Sequence, residues 1–133
     1  MRILLDANIW VSGLISRSMR NRLDALIGRD DITILMTAEL LAEIENTAAR
    51  PKFSKYINPS EILAYLQIIQ NRVDFILSET ILHICRDPND DYLLAICHDG
   101  EIEYFITGDK DLLLHDPFEN TRILTLTDFE QIG

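Results

Sequence analysis

Ile3-Leu4-Leu5 is an unbroken apolar run that stops at Asp6 and is followed by Asn8-Ile9-Trp10-Val11. Consecutive strand residues point to opposite faces, so a run without polar alternation fits a strand buried on both sides, as in a parallel sheet. Asn8 offers an N-cap for a helix beginning there. A carboxylate at the carboxyl end of a central strand stands where open α/β sheets place their ligands. A metal or substrate site there needs other acids arriving at the same edge.

The rest of the sequence alternates in the same way. Strands are expected at 32–36, 73–77, 104–107 and 122–126, beside the first at 3–5. Helices are expected at about 8–14, 19–28, from the Thr37 cap through Leu40, Leu41 and Ile44, from Asn58-Pro59-Ser60-Glu61 to about 71, at 91–98 and at 111–114. Pro51 lies just past the end of the Thr37 helix, and Thr127 with Glu130 reads as a capping box for a last turn. This pattern predicts a three-layer α/β/α sandwich around a central parallel five-stranded sheet, as one domain spanning 1–133. No apolar run approaches the roughly 20 residues of a membrane span. Cys85 and Cys97 fit neither a disulfide framework nor a zinc spacing, and as buried reduced thiols they imply a cytoplasmic setting.

The net charge of −10 is unevenly spread. Residues 1–86 balance ten acids with ten bases, whereas 87–119 hold ten acids against Lys110 alone, a net −9. Such a block suits a solvated surface or a cluster of metal-binding carboxylates. It is not the basic footprint usual for nucleic-acid binders. Because residues that follow parallel strands gather at one sheet edge, Asp6 and Asp109 are expected there together. Glu43, two turns into its helix, can lean back toward that edge, and Asp90 joins them if the third strand is parallel.

Carboxylates converging with few basic partners repel one another unless protonated or metal-bound. Hard oxygen ligands suit Mg²⁺ or Mn²⁺, ions that support phosphoryl chemistry. Each acid also has a plain structural use. Asp6, Asp87 and Asp109 could be caps, Asp90 a capping-box acid, and Glu43 an exposed helix residue. The basic groupings Arg17, Arg20 and Arg22, and Arg50, Lys52 and Lys55, are solvated faces or contacts to a nucleic-acid backbone.

Four ordered stretches carry a resemblance: Leu5-Asp-Ala-Asn-Ile-Trp-Val-Ser12, Glu39-Leu-Leu-Ala-Glu43 running to Arg50-Pro-Lys-Phe53, Arg86-Asp-Pro-Asn-Asp-Asp91 with Leu93-Leu-Ala95, and Thr107-Gly-Asp-Lys-Asp-Leu-Leu113. With them the chain resembles the PIN-domain family, in particular the toxin components of bacterial toxin–antitoxin systems. The resemblance implies a Mg²⁺- or Mn²⁺-dependent ribonuclease with Asp6, Glu43, Asp90 and Asp109 as its acidic centre. Asp111 would be an outer acid, with Asn8, Ser12 and Asp87 as supporting or substrate-side groups. It also implies an RNA substrate, a cognate antitoxin protein and a homodimer. One departure is Ala7, where similar proteins often carry Thr. Two alternatives stay open: a PIN-like module that holds RNA or antitoxin without cutting, and a haloacid-dehalogenase-like phosphatase. The phosphatase would want a second Asp where Asn8 stands.

Overall fold

The computed structural model describes residues 1–132. Strands β1 (Arg2–Leu5), β2 (Thr33–Met36), β3 (Asp74–Phe75), β4 (Tyr104–Ile106) and β5 (Arg122–Leu124) form one parallel sheet in the order β3-β2-β1-β4-β5. The first strand is its centre: Ile3 faces Ile34 on one side and Tyr104 on the other. Ile3, Leu4 and Leu5 are each 0% exposed although they alternate in direction, so helices cover both faces. Each of these side chains contributes about 1.5–3 kcal/mol by burial. The sheet is the middle layer of the expected α/β/α sandwich.

The helices are α1 (Ala7–Ile15), α2 (Arg17–Ile27), α3 (Ala38–Ala48), α4 (Pro51–Ser54), α5 (Pro59–Gln70), α6 (Asp91–Asp99), α7 (Lys110–Leu113) and α8 (Leu126–Glu130). Thr37 caps α3 by accepting from the Leu40 amide. Asn58 caps α5 through the Glu61 amide and donates back to the Glu61 carboxylate, with Pro59 in the first turn. The first helix departs from expectation. It begins at Ala7, with Asp6 as the cap residue, because the Asp6 carbonyl already accepts from Ile9 and Trp10. Asn8 is inside the helix and does not cap it.

Other departures are local. Pro51 does follow the end of α3, yet it also opens α4, since proline suits a first helical position. The strand at 73–77 shortens to Asp74–Phe75 at the sheet edge. Thr125, not Thr127, caps the last helix, by accepting from the Asp128 amide. Both cysteines are free, and burial pushes each thiol up to about 12. Among the described residues no helix is long and apolar enough to cross a membrane.

Tyr65 of α5 donates to the Trp10 carbonyl of α1 at 2.7 Å, and the two helices approach closely at Gly13. A Cβ at Gly13 would lie 2.5 Å from Leu23 Cδ1 and 2.8 Å from Tyr65 Oη. Gly13→Val should therefore lower unfolding stability by about 1–3 kcal/mol, read from denaturant melts. An unchanged midpoint would show that α1, α2 and α5 can part without cost.

Candidate active site

The carboxyl ends of β1 and β4 bring Asp6 and Asp109 to one edge of the sheet, as parallel pairing requires. Asp6 is buried, and its Oδ2 accepts from the Thr107 hydroxyl at 2.7 Å. The same Thr107 oxygen accepts from the Asp109 amide at 3.1 Å. Asp109 in turn caps α7, its Oδ1 taking the Asp111 amide at 2.9 Å. One hydrogen-bonded chain thus ties the two strand ends together. Thr107 itself is fully buried and spends its hydroxyl on this link.

Glu43 reaches the same edge from the second turn of α3. Its Oε1 accepts from Thr47 Oγ1 at 3.2 Å and from Arg50 Nη2 at 3.3 Å. Asp90 arrives at the start of α6, after a single 3-10 turn over Pro88–Asp90 that Asp87 caps through the Asn89 amide. The long segment from β3 is pinned at both ends of α6. Asp99 accepts from Ser78 Oγ, Thr80 N and Thr80 Oγ1, while Asp91 accepts from the Ile84 and Cys85 amides at 3.0 and 2.7 Å. The Cys85 and Ile84 amides hold the Asp91 carboxyl below its ordinary range. Asp91 is thereby committed to backbone, and its neighbour Asp90 faces outward to the cleft.

The cleft holds about 520 Å³ and is lined by Asp6, Glu43, Asp87, Asp90, Asp109 and Asn8, with Ala7, Glu39, Ala42, Asn46, Arg50, Asn89, Tyr92 and Leu93 completing its walls. Its acids act on one another. Burial raises the Asp6 carboxyl, and the charges of Asp109 and Glu43 raise it further against the pull of the Thr107 hydroxyl. Asp90 is pushed up to about 6, first by burial and then by Asp109, Asp87, Asp6 and Asp111. The donor set is all hard oxygen, which fits a divalent cation such as Mg²⁺ or Mn²⁺. Among the described residues, no three His, Cys, Asp or Glu side chains are gathered closely enough to hold one ion between them. The fit lies in donor chemistry and shared charge, not in finished ligand geometry.

Other sequence candidates lie elsewhere. Asp111 contributes charge at Asp90 but does not line the cleft, and Ser12 donates to the Ile9 carbonyl within its own helix. Arg22 is bound to Glu130 and Thr127, and Arg20 pairs with Asp24 and stacks over the Tyr65 ring. Arg17 and Arg20 border a separate groove. Lys52, in the helix that starts one residue past Arg50, lies over the Phe53 ring, and Lys55, just past its end, lies over Tyr56. The cleft also has residues that the motifs alone do not single out. Glu39 and Asn46 share the Glu43 face of α3 at helical spacing, a signal that periodicity does carry. Asn89 and Tyr92 had no such signal.

No curated protein matches the chain. In fold it is similar to a chain of VapBC2 from Rickettsia felis, crystallised bound to a DNA fragment from their promoter. The TM-score is 0.62 over 92% of this chain and 97% of that one, at 18% identity, a likeness of fold alone. A family model described as PIN domain matches residues 2–111. That match runs from β1 into α7 and takes in every carboxylate lining the cleft; the chain belongs to the PIN domain family.

Proposed function

We propose that this protein is a metal-dependent ribonuclease that hydrolyses RNA phosphodiesters. The observation that carries this reading is the convergence of Asp6, Glu43, Asp90 and Asp109, from four separate elements, on one cleft. These four would hold Mg²⁺ or Mn²⁺. Such an ion lowers the pKa of a bound water and neutralises charge on the phosphodiester. Thr107 fixes the direction of Asp6, and Asp109 is fixed through its own amide and its cap on α7. Asn8, on the cleft wall two residues after Asp6, supplies an amide where a haloacid-dehalogenase-like phosphatase needs a second carboxylate. Lys52, Lys55 and the exposed Tyr56, in and just past α4, give an RNA backbone somewhere to rest beside so acidic a centre.

The test is incubation of purified protein with single-stranded RNA in Mg²⁺, in Mn²⁺ or in chelator. Cleavage confined to the metal-containing reactions supports the reading. RNA retained but never cut would favour the rival, a PIN-like binding module, whose one support is that the acids are not drawn into a ready trio.

Thr107→Val keeps the shape of the side chain and removes the donor to Asp6. Loss of such an orienting partner costs about 10- to 100-fold in metal affinity or activity. The expected result is a cleavage rate lowered by that factor with the melting profile little changed; a wild-type rate would show that Asp6 needs no orienting partner. The likeness in fold to the VapBC2 chain and the ordered motifs support a role as the toxin of a toxin–antitoxin pair, acting in the cytoplasm. On that reading a neighbouring gene encodes a short antitoxin-like protein, and its absence would remove most support for the toxin role while leaving the nuclease intact.

A further inference from the structure

Among the described residues, Arg50 is the one basic side chain lining the cleft, against six carboxylates. Its backbone is fixed from both sides. Pro51 holds the preceding residue extended, and φ −63° with ψ 146° is the result. The Arg50 amide donates to the Thr47 carbonyl, and the Arg50 carbonyl accepts from Phe53 and Ser54. The side chain is held far less firmly. Its one ion pair is the 3.3 Å contact to Glu43 Oε1, an oxygen already shared with Thr47. The two side chains are 57% and 39% exposed, and a single contact of that kind adds little stability.

We infer that Arg50 is a phosphate-binding residue kept in place by Glu43 until a divalent cation takes the Glu43 carboxylate and frees the guanidinium for RNA. This role presupposes the metal-dependent ribonuclease proposed above. A guanidinium released at the cleft wall presents a planar fork that matches two phosphate oxygens, and its anchored backbone keeps it within the cleft. The cation and Arg50 thus compete for one carboxylate and then cooperate on one substrate. The acidic cleft gains its anion-binding group only when its own charge has been offset.

The exchange is tested by Mn²⁺ binding to RNA-free protein, followed by electron paramagnetic resonance, beside steady-state RNA cleavage, for the wild type, Arg50→Ala and Arg50→Lys. Arg50→Ala should bind Mn²⁺ more tightly than the wild type, by up to about fivefold. Its KM for RNA should rise about tenfold or more with a smaller change in kcat, and Arg50→Lys should fall between the two. Weaker Mn²⁺ binding by Arg50→Ala would make Arg50 a support for Glu43, and unchanged Mn²⁺ binding or an unchanged KM would equally overturn the exchange. If the wild type cuts no RNA, the nuclease reading fails by itself, and the Mn²⁺ comparison still decides whether Arg50 competes for Glu43.

Discussion

Asp6→Asn should abolish metal-dependent RNA cleavage, a loss on the order of 10³-fold or more. The substitution keeps size and polarity but removes the charge at the most buried of the four acids. An amide at this position can still accept from Thr107, so the hydrogen-bonded link from Asp6 to Asp109 has what it needs to survive. The fold should survive too. Because burial and two nearby carboxylates already disfavour the Asp6 anion, the neutral amide removes a repulsion from the resting protein. Loss of activity with intact folding is thus the expected pair of results, read from RNA cleavage and a thermal melt on the same preparation. Cleavage by Asp6→Asn at the wild-type rate would remove Asp6 from the site.

Asp90→Asn should move activity and stability in opposite directions. Cleavage falls about 10²- to 10³-fold, as for the removal of one charged partner from a preorganised site. Stability in chelator rises, and its dependence on pH has a definite sign. The Asp90 carboxyl is raised from an ordinary 3.8 to about 6, so the folded chain favours its protonated form. Whatever that form contributes is fully present below about pH 4 and is lost as pH rises through about 6, above which the ionised carboxylate burdens the fold. Asparagine does not titrate. Melting temperatures measured in chelator should therefore favour Asp90→Asn by a few degrees at pH 7–8, with the gap closing below about pH 4. A gap that widens on acidification would contradict the electrostatic account of the cleft.

Much of this arrangement could be read from local sequence because local physics sets it. Ile3-Leu4-Leu5 names a strand buried on both faces, Thr37 and Asn58 name helix starts, and all are found where the residues place them. Parallel pairing then brings Asp6 and Asp109 to one edge with no further information. Asn8 misled because a polar residue before an apolar run looks like a cap. The Asp6 carbonyl had already closed the first helical bonds two residues earlier. Pro51 misled in the other direction, since proline both follows helix ends and opens new ones, and α4 depends on the second use.

What sequence reading could not supply is non-local. Thr107 lies 101 residues from the carboxylate it orients, and nothing in its own neighbourhood announces that bond. Asp90 and Asp91 are adjacent and alike in chemistry. Only the fold separates them, by turning Asp91 inward to the Ile84 and Cys85 amides and leaving Asp90 on the cleft wall. The basic residues divide in the same way. Arg22 is spent on Glu130 and Arg20 on Asp24 and Tyr65, whereas Arg50 lines the cleft.

The central claim is that carboxylates from separate elements act together as one cation site. Titration of Mn²⁺ into the wild type, Asp6→Asn and Asp109→Asn, followed by electron paramagnetic resonance of the free ion, tests it most directly. The account predicts that the wild type binds Mn²⁺ and that either substitution alone weakens binding by at least tenfold, because both acids serve the same ion. Binding of Mn²⁺ by both variants with the affinity of the wild type would contradict it.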